Sequence, residues 1–408
     1  PAAGASLAAG GRDARHGGRT VTYDSSLSFI FMNTTRVVFG SGSSRDVREE
    51  VRALGCARAL IVTDSVLASH TDVPARIEKA LGDSCAGVFS EVVPDSGVHV
   101  VDAGAAFARE RGVDCIVSVG GGSAIDTAKG IAIVLKEGGS LRDYEGFQVL
   151  KRPQTPHVAI PTTAGTGSEV TYVAVIKDHE AHQKLLFGDY NIIPNTALLD
   201  PDLTVGLPPH LTAATGMDAM SHAVEAIHSQ QNEPIADGLA LHAIRLIAEF
   251  LPRAVADGRD LVARGQMLIA SNMAGAAFSN AQVGLVHAIA HTVGARYGIH
   301  HGLANSIVMP HVVRFNAGEV AATYRPVAGA FGIGTSGLSD AACAEAVAGR
   351  LSDLAAETGL PQTLSSQGVP EDALPELAEA TLADASIIYN GRAVLGADEV
   401  LEVYRAAF

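Results

Sequence analysis

The chain has 408 residues, enough for two domains, and 47% of them are hydrophobic, enough for a sizeable core. Its 29 Lys and Arg stand against 44 Asp and Glu, a net charge of −15, which speaks against nucleic acid or an anionic membrane surface as a partner. Four widely spaced cysteines without a C-x-x-C speak against a disulfide framework and for a reducing, cytoplasmic setting. No apolar run has the length of a transmembrane helix.

Residues 1–26 are rich in small and polar types, with no hydrophobic segment of signal-peptide length, and read as a flexible tail. From there apolar runs alternate with amphipathic stretches. Strand patterns cover 28–40, 58–64, 86–94 and 115–119; helix patterns cover 43–55, 73–83, 98–112 and 120–135. That alternation predicts a parallel sheet covered on both faces. A further buried strand, 156–161, leads into a loop of Thr, Ser and Gly, and then 171–178, 183–189 and 195–200 read as short strands. Three prolines within 200–210 end the strand signals, and every periodic segment from 209 onward is helical. The expected architecture is an α/β dinucleotide-binding domain with a Rossmann-like parallel sheet over 27–205, followed by an all-helical metal-binding domain over 206–408.

Three places at the ends of predicted strands suit a nucleotide. Gly120, Gly121 and Gly122 follow a buried strand and open a helix through Ser123, so backbone N–H groups and the helix dipole can face an anion. The run is not the G-x-G-x-x-G fingerprint, and a tight strand-to-helix turn is the competing reading. Asp64 ends the 58–64 strand, where ligands of doubly wound sheets bind. It can accept from an adenosine ribose and repel a 2′-phosphate, favouring NAD over NADP, or it can simply cap the next helix. Thr162, Thr163, Thr166 and Ser168 supply small hydroxyls beside Gly165 and Gly167, and Lys184 supplies a cation.

The metal candidates lie in the helical part. Asp218 and His222 are four apart in GMDAMSHAVEA, and His287 and His291 are four apart in GLVHAIAHTVGARYGIHHG, so each pair shares a helix face. One carboxylate and several imidazoles suit Fe(II), Zn(II) or a related ion. Spacing alone leaves open which of His287, His291, His300 and His301 are ligands.

Taken together, GGGSAIDTAKG (120–130), PTTAGTGSE (161–169), LLDPDL (198–203), TAATGMDAMSHAVEA (212–226) and the run from Gly284 to Val312 resemble the iron-containing (group III) alcohol dehydrogenases from about residue 27 to the end. The resemblance implies Asp218, His222, His287 and His301 as metal ligands, and His291 off the metal near nicotinamide and substrate as a proton relay. It implies the glycine turn and Ser123 on the pyrophosphate and Asp64 on the ribose. Asp126, Thr162, Thr163, Thr166 and Lys184 fall around the cofactor, with Asp95 near the adenosine end. The implied activity is hydride transfer between NAD(H) and a small primary alcohol or aldehyde, in a homodimer or larger homo-oligomer. A lyase of the dehydroquinate synthase type and a metal-free reductase of the maleylacetate type are the alternatives on related scaffolds. Two departures stand out: His300 where relatives commonly have Pro, and Asn390-Gly391-Arg392 where they often read Asn-Pro-Arg.

Overall fold

The computed structural model describes residues 27–94, 96–180 and 183–408, so the tail expected over 1–26 and Asp95 lie outside the described residues. Among the described residues nine strands form two sheets: β1 (Arg36–Phe39), β2 (Ala59–Asp64), β3 (Cys85–Val92), β4 (Cys115–Gly120), β5 (Gly146–Phe147), β6 (His157–Pro161), β7 (Val173–Asp178), β8 (Gln183–Gly188) and β9 (Thr196–Leu199). Five helices accompany them: α1 (Val47–Ala53), α2 (Ser65–His70), α3 (Val73–Leu81), α4 (Val98–Glu110) and α5 (Gly122–Glu137).

The larger sheet has the order β1-β9-β6-β4-β2-β3, and its pairings are parallel throughout. Its central strands are continuous apolar runs because both faces are covered. Successive side chains of a strand point to opposite faces. Thus Leu60, Val62 and Ile116 pack with Val101, Ala105, Ala128 and Ile131 of α4 and α5. Ala59, Ile61, Val117 and Ile160 pack on the other face with Val51, Ile77 and Leu81 of α1 and α3. From β2 the chain steps outward to β3, whereas β4, β6 and β9 lie on the other side. The order therefore reverses between β2 and β4, and a crevice opens at their carboxyl ends. In the smaller sheet, β8 pairs antiparallel with β7 and parallel with β5.

The strand expected over 28–40 shrinks to Arg36–Phe39, the stretch that finds a partner in β9. Upstream, the N–H of Met32 donates to Asn280 Oδ1 at 2.7 Å, so that segment docks on a helix instead. The short helix α2 follows Asp64 directly, as the cap reading of that residue requires.

After β9 come α6 (Pro209–His228), α7 (Pro234–Ala256), α8 (Leu261–Ala281), α9 (Leu285–Tyr297), α10 (His301–Val320), α11 (Tyr324–Ala330), α12 (Asp340–Glu357), α13 (Leu374–Thr381) and α14 (Ala397–Ala406). Helix α6 is the axis of this part. It is buried around its whole circumference from Met217 to His228, as a helix inside a bundle must be. Small residues let its neighbours close in. A Cβ on Gly216 would lie 2.3 Å from Leu251 of α7, and one on Gly302 would lie 2.2 Å from the Ala214 carbonyl. The Gly302 contact presses the start of α10, and with it His301, against α6. Among the described residues no helix is long and apolar enough to cross a membrane.

Candidate active site

The cofactor edge is made of turns. Gly120 ends β4 with φ +151°, and a Cβ there would meet Ala124 at 2.7 Å and Asp64 Oδ2 at 3.2 Å. On Gly121 it would meet Thr163 Oγ1 at 3.3 Å, and on Gly122 Thr166 Cγ2 at 2.7 Å. The fold thus gathers Asp64, the three glycines, Thr163 and Thr166 at the crevice between β2 and β4. No side chain caps the first turn of α5, so its orphan N–H groups remain a ready anion site. Ser123 is exposed on that turn. Asp64 serves both readings of the sequence: Oδ1 accepts from the Leu67 N–H at 2.7 Å as the cap of α2, while Oδ2 faces Gly120.

Two expected cofactor residues, Thr162 and Asp126, are tied into the surrounding structure. Thr162 is buried, and its N–H continues the sheet by donating to the Gly120 carbonyl at 3.0 Å. Asp126 accepts from the Ser168 hydroxyl and, at 3.0 Å, from the Val175 N–H, so both its oxygens are held inside the protein. Lys184 lies on β8, and its charge acts on both Asp126 and His301.

Beneath the Thr loop lies a buried cation that the sequence reading passed over. Lys129 Nζ donates to Ser168 Oγ and Thr171 Oγ1 at 3.0 Å each and to the Val173 carbonyl at 2.7 Å. Burial pulls its pKa down to about 8, against the opposing charges of Asp126 and Glu169. Glu169 in turn accepts from Asn272 of α8 at 3.0 Å. This network ties α5, the Thr loop and α8 together. The loop also touches the helices through backbone: a Cβ on Gly165 would lie 2.7 Å from Thr215 Cβ of α6, and one on Gly275 would lie 2.8 Å from Gly167 Cα. The cofactor loop is therefore packed directly on α6, which carries Asp218 and His222, and on α8.

The second half of the site is made of side chains. Donor atoms of Asp218, His222 and His287, all buried, lie within 4.8 Å of one another. His301 Nε2 is 3.6 Å from Asp218 Oδ1. The donors come from α6, α9 and the first residue of α10. His287 donates through Nδ1 to the buried carboxylate of Glu225, which also accepts from the Val286 N–H at 2.8 Å. That bond fixes the ring and leaves Nε2 as an acceptor facing the cluster. The Asn305 amide nitrogen lies 2.8 Å from Asp218 Oδ1, 3.2 Å from His301 Nε2 and 3.4 Å from His287 Nε2. Phe278 stacks on His222 with ring centres 4.1 Å apart.

Burial pushes His222 down to about 4, opposed by Asp218, and pushes His301 well below its ordinary value with help from His287 and His291. Both shifts favour the neutral ring, the state in which an imidazole binds a metal. Burial also works against a charge on His287, but Glu225 outweighs it and raises the pKa. One carboxylate and three imidazoles, brought together from α6, α9 and α10, fit a first-row divalent ion.

His291 stands beside this cluster. Its ring stacks on His301 at 5.2 Å, and Nδ1 is hydrogen-bonded to Asp384 at 2.8 Å. Burial opposes the charge on Asp384, yet the bond to His291 and the Ser386 N–H hold its carboxyl well below the usual range. His300 is exposed with φ −55° and ψ 130°, angles that a proline would also adopt. Asn390, Gly391 and Arg392 belong to the frame. Asn390 is fully buried and exchanges hydrogen bonds with Asn316, and Arg392 pairs with Glu399 at 2.7 Å.

Glu225, Asn305, Asp384, Phe278 and Lys129 are thus the site residues that the sequence reading missed. Glu225 had a signal, being seven residues after Asp218 on one helix face. Asp384 had none, since 93 residues separate it from His291.

A parallel sheet with a glycine-turn crevice suits a nucleotide, and a buried carboxylate–imidazole cluster suits a metal ion. Residues 34–201 match the profile of the iron-containing alcohol dehydrogenases, and residues 212–408 match the C-terminal domain of the same family. The chain belongs to the iron-containing alcohol dehydrogenase family and is an oxidoreductase of alcohols and aldehydes. It is 40% identical to the NAD-dependent methanol dehydrogenase of Bacillus methanolicus over 358 residues, 87% of this chain and 93% of that protein. It is 40% identical to the 1,3-propanediol dehydrogenase of Citrobacter freundii, covering 91% of this chain and 96% of that one. A crystal structure of a 1,3-propanediol oxidoreductase superposes with a TM-score of 0.90 at 38% identity, over 94% of this chain and 100% of that one.

Proposed function

We propose that the chain transfers a hydride between NAD(H) and a small primary alcohol or aldehyde, using an ion held by Asp218, His222, His287 and His301. The observation that carries this reading is the convergence of the buried donors of Asp218, His222 and His287. Fe(II) is the ion proposed, with Zn(II) the alternative, because the donor set serves both. When bound, the ion supplies Lewis acidity at the substrate oxygen and the dinucleotide supplies the hydride carrier.

The chain's own residues do the rest. Glu225 keeps the His287 ring turned so that Nε2 faces inward. The turn at Gly120–Gly122 and the first N–H groups of α5 receive the pyrophosphate, and Asp64 Oδ2 receives the ribose, which favours NAD over NADP. Asp126 acts from behind, holding Ser168 and β7 in place. In alcohol oxidation the hydroxyl proton passes to His291, whose Nε2 is not used in its bond to Asp384. Residues up to about 205 form the cofactor part in this reading, and those beyond form the metal part. A cytoplasmic setting agrees with Cys56, Cys85, Cys115 and Cys343 all being free thiols. Assembly as a homodimer or larger rests on the family resemblance.

The test is NADH oxidation followed by absorbance against a panel of short aldehydes. The reading expects net loss of NADH matched by alcohol formed. Turnover of a substrate with no net change in NADH would instead indicate a lyase.

A further inference from the structure

His291 follows the ligand candidate His287 by one turn of α9. Its ring is stacked on His301 with planes 12° apart and lies edge-on to His287 with centres 6.0 Å apart. Ring stacking alone is satisfied by either of two orientations, which exchange the nitrogens and carbons of the imidazole. The bond from Nδ1 to Asp384 Oδ2 removes that freedom.

The carboxylate is itself held on every side. Its other oxygen, Oδ1, accepts from the Ser386 N–H at 2.9 Å and caps the short turn Ala385–Tyr389. The far end of that turn is locked by Asn390, whose Oδ1 accepts from the Leu285 N–H of α9 at 3.3 Å and from Asn316 of α10 at 3.1 Å. At Gly391 a Cβ would lie 2.2 Å from the His228 carbonyl at the end of α6. Residues 384–391 are therefore braced on α6, α9 and α10, the same helices that carry the metal donors. A plain helix-cap role accounts for Oδ1. It does not account for Oδ2, which is spent on His291.

We propose that Asp384 is a positioning residue that fixes the His291 ring with Nδ1–H turned to the carboxylate, so that Nε2 is the atom available to the substrate proton. This rests on the reading of His291 as the proton relay. The step keeps its balance: the hydroxyl proton goes to Nε2, the hydride goes to the nicotinamide, and the Nδ1 proton stays on the bond to Asp384. The strap 384–391, with Gly391 where the chain departs from Asn-Pro-Arg, is the device that carries Asp384 to its place.

A double-mutant cycle on the metal-loaded enzyme tests this, with metal content, NADH affinity by fluorescence and thermal midpoint measured alongside kcat. Asp384→Asn retains an acceptor for the Ser386 N–H, so the cap survives while the fixed carboxylate is lost. In the wild-type background Asp384→Asn lowers kcat roughly tenfold or more, a part of the roughly 10²- to 10⁴-fold that a positioned proton-transfer group supplies, with metal content and NADH affinity unchanged. In the His291→Ala background the same substitution adds less than about twofold, because the residue it acts through is gone. An equal factor in both backgrounds, or no loss of kcat in the single variant, overturns the positioning role. If His291→Ala itself leaves kcat unaltered, the relay reading falls, and the role of Asp384 falls with it.

Discussion

At the carboxyl edge of the sheet, Gly120, Gly121 and Gly122 work through what they lack: each leaves the room that Asp64, Thr163 and Thr166 would otherwise share with a Cβ. In the proposed metal centre, Asp218, His222, His287 and His301 work through what they carry, and several lean on a further group such as the buried Glu225 and Asn305 or the half-buried Phe278. The contrast follows from the ligands. A pyrophosphate is large, flexible and satisfied by backbone N–H groups, so it needs space and a helix end. An ion is small and takes a fixed number of lone pairs at fixed range, so it needs oriented side chains. Damage should therefore differ in kind between the two regions: crowding at the edge, loss of donors at the centre.

The largest effect is expected from His222→Ala. It should leave the fold standing but strip the bound metal, taking NADH oxidation below about 0.1% of wild type. Retained metal with retained activity would remove His222 from the donor set. One shell outward, Glu225→Gln should weaken metal affinity roughly 10- to 100-fold, read by competition with a chromogenic chelator. An unchanged affinity would make Glu225 a packing group.

Crowding the edge is milder. Gly122→Ala puts a methyl 2.7 Å from Thr166 Cγ2, an overpacking cost of about 1–3 kcal/mol. It should raise the KM for NADH with metal content untouched. A loss of metal with unaltered KM would erase the contrast between the regions.

Buried histidines sharpen the same contrast. His287 has Glu225 as a partner, whereas the His157 ring on β6 has, among the described residues, the Ser118 hydroxyl at 2.7 Å. Burial, helped by the charge of Lys129, pushes His157 down to about 3. Below pH 6.5 the unfolded chain takes up a proton there that the folded chain refuses until about pH 3. Stability linked to His157 is then lost as pH falls, by about 1.4 kcal/mol per pH unit across that window. Denaturant midpoints between pH 6.5 and 4.5 should fall less steeply in His157→Asn than in wild type; equal slopes would contradict the assignment. The smallest effect belongs to Asp64→Gly. It should shift the ratio of NAD to NADP turnover towards NADP and cost only a few tenths of a kcal/mol through the lost cap of α2. A fixed ratio would leave Asp64 as a cap alone.

Much of this arrangement is readable in the chain before folding. Strands that end in Asp64 and Gly120 announce the crevice, because ligand edges follow from strand order and helix ends. The four-residue steps Asp218–His222 and His287–His291 announce shared helix faces. What stays hidden depends on contacts between distant segments. Nothing near Asp384 marks it as the partner of His291, and nothing near Lys129 marks it as the cation under the Thr loop. Asp126 illustrates the converse. Its motif suggests a cofactor contact, but Ser168 and Val175, more than 40 residues away, claim both its oxygens. The strand expected upstream of Arg36 fails for a related reason, since β9 offers pairing only to Arg36–Phe39.

The central claim is that an ion held by Asp218, His222, His287 and His301 is required for hydride transfer. The direct measurement is metal content by elemental analysis alongside NADH oxidation with a short aldehyde, in the enzyme as purified, after chelation, and after Fe(II) or Zn(II) is restored. The account predicts that the rate follows metal content down and back up. A full rate in enzyme shown to hold no metal would contradict it.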